Sequence, residues 1–95
     1  MGQIQMEQQR EDISTEASIL NDLILTVVAE IVDVPEEVST VVVESGSTVV
    51  LELSVAREDI GKVIGRQGSM ARALRTILSN AATKLKRRSV LQIIE

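Results

Sequence analysis

Cysteine, histidine and all three aromatic residue types are absent from this chain of 95 residues, and proline occurs once. Without cysteine there is no disulfide framework, no thiol chemistry and no cysteine metal site, a composition that fits a reducing cytosol. Without histidine the commonest general base and metal ligand are gone. The lack of Phe, Tyr and Trp excludes modules that stack bases on aromatic rings, among them the RRM, the cold-shock domain and most OB-fold binders. Long apolar runs are missing too. No uninterrupted stretch exceeds three residues, as at Leu23-Ile24-Leu25 and Val41-Val42-Val43, against the ~20 needed to span a bilayer. Met1 to Glu16 carries acidic residues and no apolar region of the signal-peptide kind. A soluble, cytoplasmic protein with no membrane association is expected. Serines and carboxylates are present, but none lies in a base-oriented constellation, so neither catalysis nor a metal or cofactor is expected.

Hydrophobic residues make up 44% of the chain and charged ones 25%, enough for one domain with a small core. The net charge of −4 conceals a division. Residues 1–56 hold one basic residue, Arg10, against eleven acidic ones, or −10; residues 57–95 hold nine basic against three acidic, or +6. Such a split is a hint of a polyanion-binding half, and equally describes two oppositely charged solvated faces.

Residues 1–12 are polar, rich in Gln and without a sustained period, which predicts a disordered or frayed extension to a single domain spanning 13–95. A helix is expected from Ser14, a suitable cap, with Leu20, Leu23, Ile24, Val27, Val28 and Ile31 recurring on one face. It ends at Val34-Pro35, because the residue before proline is pushed out of the α region. Val38–Glu44 and Thr48–Val55 read as strands joined by a tight turn at Ser45-Gly46. Arg57–Ile64 reads as a short helix with a Glu58/Lys62 pair on its surface. Gly65-Arg66-Gln67-Gly68 interrupts it. A long helix then runs to about Lys86, its apolar stripe formed by Met70, Ala73, Leu74, Ile77, Leu78, Ala81 and Leu85. Ser89–Ile94 closes the chain as a strand. The order α-β-β-α-α-β predicts an α+β domain whose three-stranded mixed sheet is covered on one face by helices.

The segment Val63-Ile64-Gly65-Arg66-Gln67-Gly68 concentrates the chemistry. Glycines let backbone approach a ligand closely, and the unpaired amides that open the next helix favour a phosphate. Lys62, Arg66, Arg72 and Arg75 supply positive charge, and Ile64 and Met70 an apolar ledge. Phosphates outside and bases inside is the arrangement of a single-stranded nucleic-acid groove. A dinucleotide-binding loop would follow a strand, and a Walker A loop would end in Gly-Lys-Ser/Thr; neither matches. The candidate RNA-binding residues are thus Lys62, Val63, Ile64, Gly65, Arg66, Gln67, Gly68, Ser69, Met70, Arg72 and Arg75. Ile64 and Met70 lie at core spacing and suit a core or a groove wall equally. Gly61 reads as a helix-packing residue. Lys84, Lys86, Arg87 and Arg88 read as a solvated cluster complementing a helix dipole.

IGRQG, preceded by EDIGKV and followed by SMARALRTIL, resembles the KH domain, whose signature is a GxxG loop between two helices. The element order resembles the type II, bacterial arrangement, and from about Leu20 to Glu95 the chain is similar to small bacterial single-KH proteins of the KhpA type. The resemblance implies a non-catalytic RNA-binding protein, an RNA chaperone or post-transcriptional regulator. Its groove would hold about four nucleotides of single-stranded RNA, with the loop clamping their backbone and Val90–Ile94 forming the far wall. It also implies a partner, either a second KH-domain RNA-binding protein or a second copy of the chain. The alternative is an interaction or assembly module of KH shape that works mainly through that partner. The extension before Leu20 departs from the family pattern.

Overall fold

The computed structural model describes residues 13–95; the extension expected over residues 1–12 lies outside them. Helix α1 spans Thr15–Ala29. Ser14 caps it, its Oγ accepting from the Ala17 amide at 3.0 Å. Its buried face is Ala17, Leu20, Ile24 and Val28. The helix stops at Ala29, earlier than the proline alone predicts. A tightened last turn, with Ile31 and Val32 amides both donating to the Val28 carbonyl, releases the chain. The amides of Asp33 and Val34 then donate to the carboxylate of Asp59, at 3.1 and 3.0 Å. The exit of α1 is therefore set by a side chain 25 residues further on. A 3₁₀ turn, Pro35–Glu37, leads into the sheet.

Strands β1 (Ser39–Ser45) and β2 (Thr48–Ser54) form the expected hairpin, antiparallel with Val42 opposite Leu51. Ser45 pairs with Thr48, so the turn residues are Gly46 and Ser47, one place later than expected. Strand β3 (Arg88–Ile93) runs parallel to β2 with Leu91 opposite Leu51, giving the mixed order β1-β2-β3. Between them lie a 3₁₀ turn, Arg57–Asp59, helix α2 (Ile60–Ile64), a second 3₁₀ turn, Arg66–Gly68, and helix α3 (Ser69–Lys84). The segment expected as one helix from Arg57 is thus a 3₁₀ turn followed by a short α-helix.

Val49, Leu51 and Leu53 of β2 and Leu91 of β3 face the helices and pack with Leu20, Ile24, Val28, Val63, Leu74 and Leu78. Of the predicted α3 stripe, Leu74 and Leu78 lie in the core and Met70, Ala81 and Leu85 pack half-buried against it, while two positions differ. Ala71, Leu74, Leu78 and Ala82 are buried, whereas Ala73 and Ile77 are exposed. Small alanines on the buried side of α3 fit where its neighbours pack closely, and the bulkier Ile77 is turned out.

Candidate nucleic-acid interface

The chain between α2 and α3 folds as a sharp, partly left-handed loop. Gly65 has φ 77° and ψ 173°, a region only glycine enters readily. A Cβ there would lie 2.7 Å from both the amide nitrogen and the Cβ of Met70. The glycine therefore lets the loop fold back against the first turn of α3. Gln67 and Gly68 follow with φ 54° and 76°. The Gly68 amide donates to the Gly65 carbonyl at 3.1 Å and the Ser69 amide to that of Arg66. The amides of Arg66 and Gln67 have no acceptor among the described residues. Both residues are exposed. The loop thus offers two unpaired N–H donors beside a guanidinium, with Ile64 and Met70 half-buried next to them. Such a cradle suits an anion flanked by apolar surface.

The other candidate residues divide. Val63 is wholly buried in the core among the helices. It faces inward because the hydrophobic face of α2 packs on α3, and it is removed from the surface that a ligand can touch. Lys62 does not pair with Glu58, as the helix spacing suggested; its ammonium reaches the Asp33 carboxylate. That hydrogen bond raises the Lys62 pKa above its ordinary value. Arg72 donates to the Gln67 carbonyl at 2.8 Å. Arg75 donates through Nε to the Leu91 carbonyl at 3.3 Å, crossing from α3 to β3. Ser69 is exposed at the first position of α3.

Arg75 marks a second surface. Together with Leu78 and Ser79 of α3 and Ser89, Val90 and Leu91 of the β3 region it lines a recess of about 280 Å³. Strand β3 is an edge. The Arg88 amide bonds to Ser47 and that of Ile94 to Leu53, so the even-numbered backbone groups face β2. In a parallel ladder the groups of Ser89, Leu91 and Ile93 then face the free edge. Arg75 occupies one of them, the Leu91 carbonyl.

Two residues that sequence reasoning missed hold this frame. Asp59 is fully buried and is spent on the α1 exit. Arg87, read as part of a solvated cluster, is instead largely buried. It donates to the Ser47 carbonyl at 3.1 Å, to Ser14 Oγ at 3.2 Å, and to the carboxylates of Glu16 and Glu44. Glu44 is held below its ordinary pKa first by hydrogen bonds from the Ser14 hydroxyl and amide, then by Arg87. Gly61, read as a packing residue, is exposed, and a Cβ there would meet nothing within 4 Å. Among the described residues no cluster of acidic side chains is placed to hold a metal ion, and no helix is long and apolar enough to cross a membrane.

The family model described as KhpA/KhpB, KH domain matches residues 21–93. The chain belongs to the KhpA/KhpB KH-domain family. The KH resemblance read from the sequence and the α+β mixed-sheet fold both stand, and the family is a non-catalytic one. Among the relatives, the "RNA-binding protein KhpA" of Clostridium acetobutylicum is 44% identical over 75 residues, covering 79% of this chain and all of the relative. That of Aquifex aeolicus is 45% identical over 78 residues, 82% of this chain and 99% of its own. That of Borreliella burgdorferi is 43% identical over 74 residues, 78% and 90%. No solved structure gives a significant match.

Proposed function

We propose that this chain binds single-stranded RNA, about four nucleotides at a time, in the groove between the Gly65–Gly68 loop and the edge of β3. The observation that carries the reading is the pair of unpartnered loop amides, Arg66 and Gln67, beside an exposed guanidinium. A phosphate placed there receives two backbone hydrogen bonds and one charge-assisted contact. Ile64 and Met70 supply apolar surface to the bases, and the free-edge groups of Ser89 and Ile93 supply donors and acceptors to base edges. Lys62 adds charge at one end, shared with Asp33. The KhpA relatives, which share most of this chain's length, are named as RNA-binding proteins, which supports RNA as the ligand. A chaperone or post-transcriptional regulatory role is part of the same proposal. Replacing Arg66 and Gln67 together by Asp puts two negative charges at the phosphate position. Folding should survive and RNA affinity should fall at least tenfold, or about 1.4 kcal/mol. Unchanged affinity with an intact circular dichroism spectrum removes the groove from the account.

A second reading, an assembly module acting through a second KH protein or another copy, has one observation in its favour. Val43, Val50 and Val90 form a row across the sheet face that no helix among the described residues covers, with Val41 and Ile94 also exposed there. Valine is a strong strand former in any surroundings, which leaves RNA binding the better supported of the two.

A further inference from the structure

Arg72 reads from the sequence as a phosphate-binding cation, yet its guanidinium is turned back onto its own chain. Nη1 donates to the Gln67 carbonyl at 2.8 Å. It also lies against Gly68, where a Cβ would come within 3.3 Å of it. The peptide unit between Gln67 and Gly68 is thereby held at both ends. Its carbonyl is taken by Arg72 and its N–H by the Gly65 carbonyl at 3.1 Å. The unit needs holding, because Gln67 is one of two non-glycine residues with positive φ among those described, a conformation L residues with a Cβ disfavour. Loss of either hold would loosen the left-handed turn that carries the neighbouring Arg66 and Gln67 amides.

We propose that Arg72 is a positioning residue: it fixes the left-handed Gln67–Gly68 peptide so that the loop's two free amides stay aligned for a phosphate, without touching the phosphate itself. The inference rests on the RNA-binding reading above. It makes Arg72 different in kind from Arg66, whose guanidinium has no partner in the protein among the described residues. A phosphate-free loop is then already in its binding conformation, and the ordering cost of binding is reduced.

The test is the Arg72→Met variant, titrated with a fluorescently labelled oligomer of single-stranded RNA, about eight nucleotides long to exceed the expected footprint, at several salt concentrations. Exchange of the Gly68 amide is followed by NMR in the free protein. Affinity should fall about fivefold at every salt concentration, leaving the slope of log K against log salt as in the parent. The Gly68 amide should exchange at least several-fold faster. Asparagine tolerates the left-handed region better than glutamine, so in a Gln67→Asn background the loss on Arg72→Met should shrink by half or more. A slope shallower by about 0.7, one phosphate's share, with Gly68 exchange unchanged and no relief from Gln67→Asn, would overturn the proposal and make Arg72 a direct phosphate ligand. Failure of the parent chain to bind the RNA is read in the same titration and would overturn the functional reading, with the positioning role falling alongside it.

Discussion

A methyl group at Gly65 probes the loop more sharply than a charge change does. In Gly65→Ala the new Cβ meets the Met70 amide nitrogen and Cβ at 2.7 Å, and Met70 Cα at 3.2 Å. None of these atoms is the end of a flexible side chain, so the first turn of α3 must shift. Holding a residue with a Cβ at φ 77°, ψ 173° costs on the order of 1–3 kcal/mol. Overpacking against fixed backbone adds about 1–3 kcal/mol. Reduced freedom of the unfolded chain returns about 0.4–1 kcal/mol. The net expectation is a destabilisation of about 2–4 kcal/mol, or roughly 10–25 °C in Tm for a domain of this size. With no aromatic residue to report by fluorescence, the assay is urea unfolding followed by far-UV circular dichroism. Gly61→Ala serves as the control, since it sits in α2 with open space around its Cβ position. It should be neutral or stabilise by about 0.5 kcal/mol. A loss at Gly65 below about 0.5 kcal/mol, well under the strain cost alone, or equal losses at both glycines, would refute the close approach of loop and helix.

The buried polar contacts give further expectations. Arg87→Ala should destabilise by about 2 kcal/mol, since a largely buried guanidinium with four partners is removed; a loss no larger than that of Lys86→Ala, measured in the same urea experiment, would return Arg87 to the solvated cluster. Because Glu44's pKa is lowered in the folded state, its contribution is complete above the ordinary glutamate value and fades as pH falls through the folded one. Glu44→Gln should therefore flatten the fall in stability below about pH 4.5, and an unchanged acid limb would contradict this. Asp59→Ala leaves the Asp33 and Val34 amides without their acceptor. A loss of about 3 kcal/mol is expected, with Asp59→Asn intermediate in denaturant titrations.

Features encoded by neighbours along the chain were legible in the sequence. The Ser14 cap, the hairpin, apart from a one-residue shift of its turn, and the two glycines framing Arg66 are all local, and each is where the residues put it. The face of α3 was legible only in part: Leu74 and Leu78 lie in the core as the period placed them, but Ala73 and Ile77 continue that stripe as well as Ala71 and Ala82 do, and the latter pair is buried. Periodicity weighs Ile above Ala, whereas close packing on a sheet selects the small side chain. Charge partners were equally hidden. Lys62 reaches Asp33 across 29 residues and Arg87 reaches Ser14 across 73, while Glu58 offered Lys62 a local partner at the right spacing. In a run of four cations nothing but the fold distinguishes Arg87 from Lys86, whose positive φ lies at the turn after α3. The loop's hydrogen bonding was legible only in part. Glycine spacing marked the turn, and a left-handed Gln67 tied to Arg72 has no sequence signature.

The Gly65–Gly68 loop as an anion site for single-stranded RNA is tested most directly by salt dependence. Each neutralised phosphate contributes about −0.7 to the slope of log K against log salt. Two to four phosphates within reach of Arg66, Lys62 and the free amides predict a slope of roughly −1.4 to −2.8 for a short labelled oligonucleotide. Arg66→Ala should make it shallower by about 0.7. A slope near zero, or one that Arg66→Ala leaves untouched, would contradict the account and favour assembly through the apolar sheet face.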